Sequence, residues 1–149
     1  MDKNRIRPIV ICLFRKGDRT LVSDAFDYSK GGYFCRPLGG GIEFGEHSRD
    51  AMLREVREET GAEVENLRLL GVLESLFTYE GERGHELVFV YDAEFADKSL
   101  YERGEVQAYE SEIDKHFVAS WRSLEENERR GVRLVPEPLA AMLAEWAAR

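Results

Sequence analysis

The sequence predicts a mixed α and β fold, and three observations carry that expectation. Apolar, β-branched runs bounded by turn residues recur along the chain, as in residues 6–15 (IRPIVICLFR) and 86–95 (ELVFVYDAEF). Between them, residues 48–60 (SRDAMLREVREET) have helical spacing and are followed by Gly61, a helix stop. Residues 137–148 form an amphipathic helix with Leu139, Met142, Leu143 and Trp146 on its apolar side.

The elements follow in order. Residues 6–15 are continuously apolar and read as a buried strand. Lys16, Gly17, Asp18 and Arg19 form a turn, and residues 20–26 return as the second strand of a hairpin. Lys30, Gly31 and Gly32 turn the chain again before a short strand at residues 33–36. Residues 37–45 hold four glycines and read as a loop that leads into the helix at 48–60, with Ser48 as its N-cap. A long strand at 67–78 and a polar turn at 80–84 precede the strand at 86–95. Residues 96–115 are polar and read as a loop. A short strand at 117–121 contains Trp121, and 124–130 suits a brief helix. Strands and helices interspersed in this way define the mixed class.

At 149 residues the chain suits a single domain spanning residues 1–149. Hydrophobic residues make up 43% and charged residues 34%, the balance of a soluble globular protein. A net charge of −8 argues against gripping long nucleic acid through a basic surface. It leaves small phosphate compounds open, because bound metal ions supply positive charge. No apolar run is long enough to span a bilayer, so no membrane partner is expected. The first apolar stretch is short, contains Pro8 and lacks a small-residue cleavage site, so it reads as a strand rather than a signal peptide. Cys12 and Cys35 have neither CxxC spacing nor a nearby histidine; buried free thiols and a cytoplasmic location are expected.

The chemistry is concentrated in residues 40–62 (GGIEFGEHSRDAMLREVREETGA). Glu55, Glu58 and Glu59 lie three and four residues apart on one helix. With Glu55 at zero, Glu58 falls near roughly −60° and Glu59 near roughly +40°. Like charges this close repel, so the arrangement calls for a cation. Met52, Leu53, Val56 and Thr60 cover the adjoining arc and face the core; Asp50, Arg54 and Arg57 point the other way, toward water. Ala51 leaves space beside the carboxylates. Oxygen ligands that leave room for substrate phosphates suit Mg²⁺, and a further carboxylate can take the proton of an attacking water. Arg54 can pair with Glu58 at i,i+4 and reach Glu55, and Gly39, Gly40 and Gly41 let backbone approach metal or phosphate closely. The three glutamates alone would also suit a solvated acidic face; the wider pattern decides between the two.

That pattern, Gly40, Glu46 after five residues, and Arg54-Glu55-Val56-Arg57-Glu58-Glu59-Thr60-Gly61 after seven more, resembles the Nudix box, G-x5-E-x7-R-E-U-x-E-E-x-G-U. Every fixed position matches. Ala62 is smaller than the usual final aliphatic residue, and Leu38 stands before the glycines where many members have proline. The resemblance implies a Nudix fold, an α/β/α sandwich with a mixed sheet between helices. It implies hydrolysis of a nucleoside diphosphate linked to another moiety, with Mg²⁺ or Mn²⁺. By position it makes Glu58 and Glu59 metal ligands, Glu55 a ligand or the general base, the Gly39 carbonyl a further ligand and Arg54 the group that orients the glutamates. Glu46 would support the loop or hold a water. A later glutamate completes the site in some relatives; Glu105, Glu110 and Glu112 lie in the right segment, and Glu112 is preferred because it lies closest to the Trp121 strand.

The substrate stays open among dinucleoside polyphosphates, nucleotide sugars including ADP-ribose, and nucleoside triphosphates. Tyr79 resembles the tyrosine of diadenosine polyphosphate hydrolases but equally suits a strand-end aromatic at a turn. Arg36 is a candidate for touching phosphate, with Gly40 and Gly41, and equally suits an exposed strand-end arginine. Phe26, Tyr28, Tyr33 and Phe77 are candidates for stacking on a base, although strand aromatics are mostly core. Two other classes compete: a ligand-binding module of this fold without catalysis, which commonly lacks box glutamates, and an interaction protein with an acidic helix. Dimers are frequent in families of this kind, so a homodimer is one candidate state, and the sequence does not choose it.

Overall fold

The computed structural model describes residues 4–147. Among the described residues eight strands, β1 (Ile6–Lys16), β2 (Arg19–Asp27), β3 (Gly32–Gly41), β4 (Val64–Tyr79), β5 (Glu82–Phe95), β6 (Glu105–Glu110), β7 (Lys115–Ser123) and β8 (Arg133–Leu134), form the sheet, with three helices beside it. The helices are α1 (Ser48–Thr60), α2 (Leu124–Arg130) and α3 (Leu139–Ala147). The sheet order is β4-β5-β1-β3-β2-β7-β6, with β8 beside β3. It is mixed: β1 runs parallel to β5 and β8 parallel to β3, while the other pairs are antiparallel.

The alternation of β1 shows why helices cover both faces. Val10, Cys12 and Phe14 enter one core with Ala51, Met52 and Val56 of α1. Ile9, Ile11 and Leu13 enter a second core with Leu139, Leu143 and Trp146 of α3. A strand apolar on both faces is the expected signature of a sheet buried on both sides. This is the α/β/α sandwich. Cys12 and Cys35 are buried free thiols, as expected; burial pushes both up, Cys35 to about 11. Among the described residues no helix is long and apolar enough to cross a membrane.

Several boundaries differ from expectation. β3 is not confined to residues 33–36: it runs through the glycines to Gly41, because Leu38 to Gly41 pair with Cys12 to Ile9 of β1. Glycines read as loop formers are here strand residues. α1 has the expected bounds, but its N-cap is His47, not Ser48. Ser48 is the first helical residue, and its hydroxyl lies 2.7 Å from that of Tyr91. The C-terminal end is as expected: Gly61 takes φ 73° and donates its N–H to the Arg57 carbonyl.

The segment 96–115 is not a loop. It contains 3-10 turns at Lys98–Glu102 and Ser111–Ile113 and the edge strand β6, which pairs with β7 from Glu105↔Ser120 to Glu110↔Lys115. Val106 and Ala108 are buried, too few apolar positions to stand out in a polar sequence. α2 has the expected bounds and is capped by the Ser123 side chain, which accepts from the Glu126 N–H at 3.1 Å. α3 begins at Leu139, later than expected, after Pro136 and Pro138; Ala148 lies outside the described residues.

Candidate active site

The site is assembled where α1 lies against the end of β3. The three glutamates are graded in depth. Glu59 is buried, 7% exposed, and accepts the Gly39 N–H at 3.1 Å. Glu55 is nearly as sheltered, with 13% of its side chain exposed, whereas Glu58 is half in water at 48%. Gly40 explains how Glu55 fits: a Cβ there would stand 2.4 Å from the Glu55 carboxyl carbon. The strand must be bare at this point for the carboxylate to lie against it.

Arg54 ties Glu55 and Glu58 to Glu46 and corrects the angular count, which sent it to water. Its side chain is 23% exposed. Nε and Nη2 grip both oxygens of Glu46 at 2.8 and 2.9 Å, and Nη2 also donates to the Gly41 carbonyl at 3.0 Å. Nη1 donates to Glu55 at 3.0 Å and to Glu58 at 3.3 Å. The residues that cover it, Glu46 and Gly41, come from the segment before the helix. A planar fork that binds two oxygens at once is an arginine property. Glu46 thus acts on Arg54; its other oxygen bond is from the Glu43 N–H at 3.1 Å.

The electrostatics follow. The Arg54 bond holds the Glu46 carboxyl down to about 2. Burial, then the charges of Glu55 and Glu110, pushes Glu59 up to about 8, against smaller lowering by Arg36 and the Gly39 N–H. Burial also raises Glu55, partly offset by Arg54. Carboxyls pushed up by burial and by each other are stabilised by an added cation.

Glu110, rather than the preferred Glu112, is the outer glutamate whose charge reaches Glu55 and Glu59. It shares the strand face of Val106 and Ala108, which look toward α1. Glu112 is exposed in the 3-10 turn beyond β6, and Glu105 is exposed at its start. The β6 alternation, once β6 is recognised as a strand, is the signal that picks out Glu110. Arg36 is on β3 and acts on both Glu59 and the half-buried Glu86, which pairs with Arg7 at 3.7 Å. Tyr79 ends β4 with its ring edge-on to Phe34 at 5.6 Å. Phe26 packs edge-on against both Tyr28 and Tyr33, and the Phe77 ring covers Gly84.

The donor set is all oxygen, the chemistry of a hard divalent ion. Among the described residues, no three His, Cys, Asp or Glu side chains already stand in a metal-holding arrangement; Glu55 and Glu58 are turned to Arg54.

Comparison with known proteins agrees with the geometry. The model of the NUDIX domain matches residues 3–142, and the chain belongs to the Nudix family. It is 34% identical over 121 residues to the NAD-capped RNA hydrolase NudC of Pseudomonas aeruginosa, covering 81% of this chain and 37% of that protein. The NudC of Haemophilus influenzae is 34% identical over 122 residues, 81% of this chain and 40% of that one. The chain therefore aligns with well under half the length of these relatives. A NUDIX hydrolase from Nitrosomonas europaea superposes with a TM-score of 0.62 at 20% identity, over 95% of this chain and 87% of the other. A UDP-X diphosphatase gives 0.64 at 15% identity, over 95% and 62%. At these identities the structures speak for the fold alone.

Proposed function

We propose that the chain hydrolyses the pyrophosphate linkage of a nucleoside diphosphate joined to a second moiety, with Mg²⁺ or Mn²⁺ bound. The observation that carries this is the cluster of Glu55, Glu58 and Glu59, in which Arg54 holds Glu55 and Glu58 while Glu59 lies buried against the Gly39 N–H. Such a cluster is poorly matched to water and well matched to a cation. Glu55, Glu58, Glu59 and the Gly39 carbonyl are the proposed metal ligands. The bound ion would neutralise phosphate charge and lower the barrier to attack at phosphorus. Arg54 keeps Glu55 oriented, and Glu110 takes the proton of the attacking water or completes the ligand set, the role first given to Glu112. Arg36, whose charge reaches Glu59, is the cation proposed to meet a substrate phosphate, with the backbone of Gly40 and Gly41 further along the same strand. Tyr79 and Phe34 supply an aromatic wall for the organic part.

The relatives' name directs the choice of substrate. A dinucleotide of the NAD type is a nucleoside diphosphate linked to another nucleoside, so this class goes first. An RNA carrying such a cap is long nucleic acid. The acidic composition argues only against binding along its length, not against entry of its capped end.

The test is a panel of NADH, ADP-ribose, diadenosine polyphosphates, a nucleoside diphosphate sugar and nucleoside triphosphates, with Mg²⁺ or Mn²⁺ and products identified by mass. Mononucleotide products that require the metal are expected from at least one. Tight nucleotide binding without turnover under either metal would instead establish a binding module.

A further inference from the structure

We propose that Glu86 of β5 is a specificity-determining residue: it accepts a hydrogen bond from an amino or carboxamide NH₂ on a ring of a dinucleotide substrate, and Phe77 is the surface on which that ring stacks. This recognition presupposes the dinucleotide hydrolysis proposed above. The sheet builds the surface in rows. Ile9, Val88 and Leu73 are register partners across β1, β5 and β4, and they face the core under α3. Two residues further along each strand, on the same face, stand Arg7, Glu86 and Ser75; two residues beyond those stand Gly84 and Phe77. Gly41 pairs with Ile9 at the edge of this face, and Arg7 Nη2 lies 3.7 Å from where a Gly41 Cβ would be. The face thus adjoins the glycines beside the glutamate cluster. Arg36 acts on both Glu59 and Glu86, so one cation connects the cluster to this surface.

Glu86 is a carboxylate short of donors. Its side chain is 16% exposed, and burial raises it above the usual carboxylate range. Arg7 stands 3.7 Å away, outside hydrogen-bond distance, and is itself half exposed. No hydrogen bond reaches Glu86 from the described residues. A sheltered acceptor without a donor is destabilising. An ionised carboxylate only accepts, so it favours an N–H donor and disfavours a carbonyl or an anion in the same place. The second row supplies the platform. A Cβ at Gly84 would stand 2.2 Å from Phe77 Cζ and 2.4 Å from Cε2, so glycine is what lets the ring lie across the strand. Phe77 remains 39% exposed. A cavity of about 390 Å³ opens beside it, bordered also by Ile6, Leu76 and His85, which is room for one ring system. The two rows are about 7 Å apart, so a ring stacked on Phe77 can turn an edge group to Glu86. The adenine amino group and the nicotinamide carboxamide both have this chemistry, one at each end of an NAD-type dinucleotide.

The test compares NAD⁺ with two analogues, using the full chain and Mg²⁺. Nicotinic acid adenine dinucleotide replaces the carboxamide by a carboxylate, and nicotinamide hypoxanthine dinucleotide replaces the adenine amino group by a carbonyl. The wild type should disfavour one of them by at least about tenfold in kcat/KM, mainly through KM; which one identifies the ring. Glu86→Gln should bring that preference to about threefold or less, while melting no lower than the wild type because a donor-poor carboxylate is gone. Phe77→Leu should raise KM for NAD⁺ and both analogues alike by about fivefold or more, with kcat little changed. Calorimetric binding of AMP against IMP, and of nicotinamide mononucleotide against its acid, gives the same comparison without turnover. Failure to hydrolyse any dinucleotide and failure of the recognition are therefore separate results. Equal treatment of both analogue pairs by the wild type would overturn the proposal. So would a preference that survives Glu86→Gln, and a loss of stability in that variant with the preference intact would make Glu86 only the structural partner of Arg7.

Discussion

Gly40→Ala isolates the placement of Glu55 from the integrity of the fold. The new Cβ would stand 2.4 Å from the Glu55 carboxyl carbon and 2.5 Å from each of its oxygens. Ordinary contact begins at 3.4 Å, so the carboxylate must withdraw by about 1 Å. Gly40 does not have a left-handed φ, and what it meets is the far end of a flexible side chain, so the backbone need not move. Withdrawal stretches the 3.0 Å bond from Arg54. Losing part of one charged hydrogen bond should destabilise by about 1 kcal/mol, a fall of roughly 2–4 °C in Tm for a chain of this size. Displacing a reacting group by about 1 Å lowers turnover by about a hundredfold, or about 2.7 kcal/mol of barrier. The assay is kcat on the best dinucleotide of the panel, beside a melting curve. Gly39→Ala is the contrasting control. There φ is 158° and the Cβ would meet the Val10 carbonyl oxygen at 1.9 Å, a backbone clash that no side chain relieves. It should break the β1–β3 pairing and the fold with it. Wild-type kcat in a folded Gly40→Ala protein would refute the placement of Glu55 in the reaction.

Three further outcomes follow from the same geometry. Arg54→Ala leaves Glu46, Glu55 and Glu58 without their shared cation. Breaking a fully buried pair costs about 3–5 kcal/mol, and with Arg54 23% exposed the expected loss is about 2 kcal/mol by urea unfolding. A change under about 0.5 kcal/mol would show that the grip is loose. Glu46 has its folded pKa depressed to about 2, so its contribution is present above the normal carboxylate range and is lost as pH falls from about 4.5 through 2. The gap in urea midpoint between wild type and Glu46→Gln should therefore be constant from pH 5 to 7 and close toward pH 2; a pH-independent gap would contradict it. Glu110→Gln should lower kcat by about a hundredfold and Glu112→Gln by less than about twofold, with the opposite ranking restoring Glu112 to the site.

How much was legible in the sequence depended on where the determining contacts lie. α1, with its glutamates, could be placed from local spacing because Gly61 and the apolar arc of Met52 and Val56 are encoded within a few residues. The course of Pro37 to Gly41 could not, because those residues become a strand only by pairing with β1. Arg54 was sent to water by the helical count, and correctly so for an isolated helix. What covers it, Glu46 and Gly41, arrives from outside the helix, although the E-x7-R spacing contained the hint. Glu110 was hidden for a similar reason: its inward direction is visible only after β6 pairs with β7. Arg36 was legible as a candidate, but its effect on Glu86 arises between β3 and β5, which are neighbours in neither sequence nor sheet.

The glutamates around Glu59 are proposed to form a metal-dependent pyrophosphate-cleaving centre. The most direct measurement is hydrolysis of a dinucleotide such as NADH in ¹⁸O-labelled water with Mg²⁺, comparing wild type with Glu59→Gln and resolving the mononucleotide products by mass. One labelled oxygen on a product phosphate is expected from the wild type, with no turnover in EDTA and turnover lowered by about a hundredfold or more in a Glu59→Gln protein that melts normally. Undiminished, metal-independent cleavage by Glu59→Gln would contradict it.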